Sequence, residues 1–107
     1  MKSDKALQML GMAMRAGAVK SGAFMTENSI KDGSAFLVVT ASDSSDNTKK
    51  QFKNMCDHYG VPIRFYSDME TLGHCIGKEF RASLAVTNEG LADKIMSIID
   101  QGQKDEV

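Results

Sequence analysis

Residues 35–41 read AFLVVTA. The run is short and apolar apart from Thr40, and Val38, Val39 and Thr40 are β-branched. It is too short for a helix and lacks the in–out alternation of a half-exposed strand. It therefore reads as a central strand covered on both faces. Such a strand needs helices above and below it, and the flanking sequence has to supply them.

Upstream, residues 21–33 read SGAFMTENSIKDG, a helix that Ser21 caps and Gly33 stops. Ala18, Val19 and Lys20 make a very short strand before it. Further back, Ser3 caps a helix through about Ala16, with Ala6, Leu7, Leu10, Ala13 and Met14 as its apolar stripe and Gly17 as its end. Gly11 inside that helix costs roughly 1 kcal/mol against alanine and permits close packing.

Downstream, the polar SDSSDNT offers several caps to a helix over residues 46–59. Phe52, Met55, Cys56 and Tyr59 share one face of it, with Lys49, Lys50 and Lys53 on or near the other. Gly60 ends it, and Pro62 introduces a strand over 63–66. Ser67 and Glu70 form a capping box for a fourth helix reaching about Ile76, closed by Gly77. Residues 83–86 are the last strand. Residues 90–99 are the last helix, striped by Leu91, Ile95, Ile98 and Ile99, and the tail after 99 is expected to fray. Strands alternating with helices predict an α/β fold, a three-layer α/β/α sandwich. The 107 residues suit a single domain without linker or internal repeat.

Charge narrows the function. Lys and Arg number 13 against 14 Asp and Glu, for a net charge of −1. Any footprint for a polyanion must then be a local patch. Cys56 and Cys75 each sit in an apolar helical pattern and read as buried free thiols. Zinc would need both cysteines with His58 and His74, and neither CxxC nor HExxH occurs, so no metal or cofactor is expected. The opening MKSDKALQML lacks the apolar core of a signal peptide, and no run approaches the roughly 18 apolar residues of a membrane span. A cytoplasmic protein without a membrane partner is the expectation.

No catalytic group assembles. Asp43 and Asp46 suit capping better than acid–base work. Ser44 and Ser45 have no base, and the adjacent His74 and Cys75 diverge on a helix. The glycines match neither GxGxxG nor GxxxxGK[ST]. Gly73 and Gly77 fit close packing and helix termination, or else the approach of backbone to a ligand.

The start of the second helix is more informative. With Ile30 at the centre of the core face, Ala23, Thr26 and Glu27 fall within about 60° of it, at about 100° per residue. Phe24, Met25 and Asn28 fall about 120° to 160° away. The Phe–Met pair either packs on a neighbouring element or forms a recognition surface at a helix N-terminus, where free N–H groups suit phosphate. The lysine groups are solvated faces or backbone-phosphate contacts.

The segments LGMAMRAGAVKSG, SIKDGSAFLVVTASDSSDNTKKQF, CDHYGVPIRFYSDMETLGHCIGKE and SLAVTNEGLA, in this order, resemble the L7Ae/L30e superfamily of ribosomal and kink-turn RNA-binding proteins. The likeness runs from about Leu7 to Ile99 and is strongest to the small bacterial YlxQ-type members. It implies an L30e-like sandwich with a mixed, mostly four-stranded sheet. It also implies a non-catalytic protein that binds a bent or bulged RNA, such as ribosomal RNA or a kink-turn, in company with ribosomal or translation-associated proteins. The RNA sites carried over lie near residues 22–28 and 66–73. They comprise Gly22, Ala23, Phe24, Met25 and Asn28, then Met69, Leu72 and Gly73, with Arg15, Lys20 and Lys49 for phosphates.

The sequence departs from the archaeal and eukaryotic kink-turn binders at one place. There the corresponding glycine is followed by Thr-Asn-Glu, which reads guanine edges, and later by a lysine. Here Ala23, Phe24 and Met25 follow Gly22, and Asn28 stands at the lysine position. Phe24 can stack on an unpaired base but cannot hydrogen-bond its edge. A protein-interaction module on the same fold, anchored by Phe24, Met25 and Met69, is the alternative.

Overall fold

A computed structural model describes residues 4–105, with side chains to residue 102. The elements are α1 (Lys5–Arg15), β1 (Val19–Ser21), α2 (Ala23–Lys31), β2 (Leu37–Thr40), α3 (Asp46–Tyr59), β3 (Ile63–Phe65), α4 (Met69–Cys75), β4 (Ser83–Val86) and α5 (Glu89–Asp105). The sheet order is β1-β4-β2-β3. β4 runs antiparallel to both β1 and β2, and β2 runs parallel to β3. The sheet is mixed and four-stranded, as expected.

AFLVVTA is the hidden strand its composition requires, for every residue of β2 is buried. Residues alternate between two cores. Leu37 and Val39, with Leu84, Val86 and Val19, pack against Leu10 of α1, Leu72 of α4 and Ile95 and Ile99 of α5. Val38 and Ala85 face Ile30 of α2 and Phe52 and Cys56 of α3. Three helices therefore cover one face and two the other. Gly11 works by close approach: a Cβ there would lie 3.0 Å from the Cys75 carbonyl oxygen, so α1 and α4 meet backbone to side.

The helix starts differ from expectation, for local reasons. Ser3 lies outside the described residues, and α1 is capped by Asp4, whose Oδ1 accepts from the Leu7 amide at 3.0 Å. Its Oδ2 accepts from Tyr66 Oη at 2.6 Å. Ser21 does not cap α2, because it is still paired with Leu84 in the sheet. Gly22 (φ 92°) starts the helix instead, with no side-chain cap. Ser67 is displaced from the capping role by a left-handed conformation (φ 64°), and Asp68 accepts from the Thr71 amide at 2.7 Å. The last helix does not stop at Ile99 but continues to Asp105. The apolar stripe ends where expected. Just beyond it, Asp100 is gripped by Arg64 of β3 through two hydrogen bonds of 2.8 and 3.0 Å, which extends the ordered helix by a polar tether.

Both cysteines are free, Cys56 buried and Cys75 half-buried. Burial pushes each thiol up to about 11, with a smaller contribution from Asp57 for Cys56 and from Asp4 for Cys75. Among the described residues no helix is long and apolar enough to cross a membrane, and no cluster of three or more His, Cys, Asp or Glu is placed to hold a metal.

Two outcomes follow from this packing. Thr26 is fully buried and its Oγ1 has no hydrogen-bond partner among the described residues. Thr26→Val keeps the shape and removes the unpaired hydroxyl, so chemical denaturation should show a gain of roughly 1 kcal/mol. Arg64 holds the Asp100 carboxyl below its usual range, chiefly through the hydrogen bond between them. A depressed native pKa contributes stability above the unfolded carboxylate value of about 3.9, and that contribution disappears as pH falls through the native value. Acidification below about pH 4 should therefore lower the protection of the amides in residues 100–105 relative to their intrinsic exchange rates at the same pH. Asp100→Asn should reproduce the effect at neutral pH while costing no more than about 1 kcal/mol, since the pair is half-exposed.

Candidate functional site

Strand directions assemble the site. Because β4 is antiparallel to β1 and β2, and β3 is parallel to β2, the C-terminal ends of β1, β2 and β3 lie at the same sheet edge as the start of β4. Four segments meet there: the first turn of α2, the loop 77–82 before β4, the loop 41–45 after β2 and the loop 66–68 after β3.

At this edge α2 begins abruptly. The Gly22 amide donates to the Ser83 carbonyl at 3.0 Å, which fixes the turn out of β1. Its positive φ suits glycine and would strain a side chain. With no cap, the amides of the first turn are left to solvent or to a ligand. Phe24 is 72% exposed and Met25 42% exposed. The apolar first turn is thus surface, not core. Asn28 is exposed, as its angular position predicts, and Thr26 and Ile30 are buried. Ala23 is exposed although its angle points toward the core, because the first residue of the helix overhangs the packed layer.

The loop 77–82 stands beside this turn, and Arg81 joins the parts. Its Nε donates to Ser21 Oγ at 3.4 Å, its Nη1 to the Phe80 carbonyl at 2.8 Å and its backbone amide to the Met69 carbonyl at 3.1 Å. Phe80 is 64% exposed. The loop is held from behind by Gly73. A Cβ at that position would fall 1.3 Å from the Glu79 carbonyl oxygen, so only glycine lets the loop lie on α4. The Lys78 amide donates to the Gly73 carbonyl at 2.9 Å and completes the seat. Next along the edge, the Ser42 amide donates to the Ser67 carbonyl, and Asp43 Oδ1 accepts from the Met69 amide at 2.9 Å. Asp43 therefore fastens the loop after β2 to the start of α4, and α3 is capped by Ser45.

The residues singled out from sequence do not all lie at this edge. Gly22, Ala23, Phe24, Met25 and Asn28 lie together on α2. Lys49 lies in the first turn of α3, which leaves the sheet at the same edge, and is half-buried. Lys20 is exposed in the middle of β1, and its charge is felt at Asp32, at the other end of α2. Arg15 is removed from the edge: it ends α1, at the far end of β1, with Nη1 folded back over Gly11. Met69 is half-buried and packs on the larger core. The Leu72 side chain is fully enclosed in that core, and Gly73 is covered by the loop, so these two position the site from beneath. Phe80 and Arg81 were not legible from the sequence. An aromatic between a helix-ending glycine and a buried strand was the available hint, but only the pairing of β1 with β4 brings its loop to the end of β1, where α2 starts.

Gly73→Ala should therefore act on the edge as well as on stability. The added methyl group forces the loop outward. The expected loss is about 1–3 kcal/mol, with amide chemical-shift changes in residues 78–83 and 21–24. Gly102→Ala is the control. It lies in α5 with nothing within 4 Å of its Cβ position. It should gain up to about 1 kcal/mol in helix propensity and leave the edge unchanged.

The comparisons with known proteins agree with this architecture. The model of the family described as ribosomal protein L7Ae/L30e/S12e/Gadd45 matches residues 4–96. The RNA-binding protein YlxQ of Bacillus subtilis is 39% identical over 86% of this chain and 92% of its own length. The large ribosomal subunit protein eL8 of Haloquadratum walsbyi is 31% identical over 85% of this chain and 78% of its own length. Among solved structures, a Bacillus halodurans protein of unknown function superimposes with a TM-score of 0.88 at 31% identity, over 92% of this chain and 99% of that one. The Giardia lamblia 15.5kD RNA binding protein shares the fold, with a TM-score of 0.75 at 19% identity over 94% and 90% of the two chains. The curated relatives are described as RNA-binding or ribosomal proteins. By sequence and by fold, the chain belongs to the ribosomal protein L7Ae/L30e/S12e/Gadd45 family.

Proposed function

We propose that the edge formed by the first turn of α2 and the loop 77–82 binds a bent or bulged structured RNA of the kink-turn class. The observation that carries this reading is the exposed Phe24 on the uncapped first turn of α2, with a second exposed ring, Phe80, on the loop that Arg81 ties to the end of β1, in a family whose relatives include RNA-binding and ribosomal proteins. Unstacked bases gain about 1–3 kcal/mol each on such rings. The uncapped amides of α2 and the guanidinium of Arg81 supply donors to phosphate. Lys49, in the first turn of α3, makes no ion pair among the described residues and is available for the backbone; Lys20, in the middle of β1, makes none either, although its charge also acts on Asp32. Phosphate contacts of this kind orient the RNA, and the bases exposed by its bend confer preference. Ribosomal RNA and a cytoplasmic, translation-associated setting fit this chemistry.

The same exposed Phe24 and Met25 favour a second reading, an apolar anchor for a protein partner. Titration of a labelled kink-turn RNA and an equally long straight duplex, each at two salt concentrations, separates the two. The expected result is tight, salt-sensitive binding to the kink-turn alone. Phe24→Ala should weaken it about tenfold or more, and Lys20→Gln with Lys49→Gln should reduce the salt slope by about 2. Equal affinity for both RNAs would remove the kink-turn class from the proposal. Binding to neither would leave the protein-anchor reading.

A further inference from the structure

Behind the loop 77–82, the exposed side of α4 borders two adjoining hollows of about 310 and 430 Å³. Glu70 and His74, one helical turn apart, wall both of them. Thr71 and Cys75 complete the smaller, and Lys78, Glu79 and Phe80 the larger. The side chains of Glu70, His74, Lys78 and Glu79 have no hydrogen bond or ion pair among the described residues. Burial keeps the Cys75 thiol protonated at neutral pH, so that wall is uncharged. Two carboxylates, an ammonium, an imidazole and an open phenyl ring thus converge without satisfying one another.

This mixture selects a ligand chemistry. Carboxylates alone would suit a cation, and lysine alone an anion. Together beside an aromatic face, they suit a flat heterocycle with paired donors on one edge and paired acceptors on the next. Guanine has that pattern: N1–H and N2–H lie side by side, and O6 and N7 adjoin them. Adenine turns an acceptor, N1, toward a carboxylate. Uracil offers one donor between two carbonyls.

We propose that this groove binds a guanine base, with Glu70 accepting from N1–H and N2–H, Phe80 stacking on the ring, and Lys78 and His74 donating to O6 and N7. That the guanine is an unpaired base of the bound RNA rests on the reading in the preceding section. A free guanine nucleotide presents the same edges.

The test is the amide spectrum of the full chain, titrated with guanosine monophosphate, with adenosine monophosphate, and with an RNA hairpin carrying one unpaired guanine or adenine. Guanosine monophosphate and the guanine hairpin should shift the amides of residues 70–80, about tenfold tighter than their adenine counterparts. Glu70→Gln, an exposed substitution, should abolish that preference while the hairpin still shifts residues 22–25. No shift at 70–80, or equal response to guanine and adenine, overturns the groove as a guanine site. Response to the mononucleotide without the hairpin keeps the guanine site and overturns the RNA as its source. A hairpin that leaves 22–25 unmoved while guanosine monophosphate still shifts 70–80 refutes the RNA reading but not the groove.

Discussion

The position of β4 is the constraint on which the molecule depends. It is the last strand in sequence, yet it lies inside the sheet, hydrogen-bonded to β1 on one side and β2 on the other, with every residue buried. Backbone polar groups so deeply placed must be paired, which the two antiparallel ladders achieve. The same insertion sets the start of β4 against the ends of the other three strands. The loops at that edge are therefore rooted in the most buried part of the fold. Rigid roots with exposed tips suit a recognition surface better than a free loop would.

Close backbone contact, more than side-chain contact, sets the shape of the edge. Gly73 lets the Glu79 carbonyl rest on α4, and Gly22 lets α2 turn out of β1 beneath the Ser83 carbonyl. Arg81 then spans the gap, reaching Ser21, Phe80 and Met69 from one residue. The apolar rings left outside gain nothing from the core. Exposing Phe24 and Phe80 runs against solubility, which is the sense in which they are costly and thus informative.

Electrostatics follows the same division. Lys31 pairs with Glu27 and Lys53 with Asp57, each one helical turn apart and exposed, and such pairs add little stability. Arg64 and Asp100 join β3 to α5 and have a structural task. Lys49, at the edge, and Lys20, in the middle of β1, make no ion pair among the described residues, although the Lys20 charge also acts on Asp32. A chain with net charge −1 can therefore present local positive charge where a phosphate backbone would need it.

The sequence by itself determined the order and kind of the elements, because burial pattern and helix punctuation are local. AFLVVTA is hydrophobic enough to need cover on both faces, the bounds of α3 and β4 coincide with their patterns, and the helical angle of Phe24 from Ile30 already placed it outside the core. Resemblance over most of the chain supplied the mixed sheet. Helix caps were less legible, since Ser21 and Ser67 have the right chemistry but are held by sheet pairing and by a left-handed turn. Tertiary structure alone decided the edge. It buried Leu72, hid Gly73 beneath a carbonyl, set Arg15 at the far end of β1 and tied the loop of Phe80 and Arg81 to the end of β1, where α2 starts. The reason is physical: proximity between residues some sixty positions apart, such as Ser21 and Arg81, is created by strand pairing, and no local pattern in either segment encodes it.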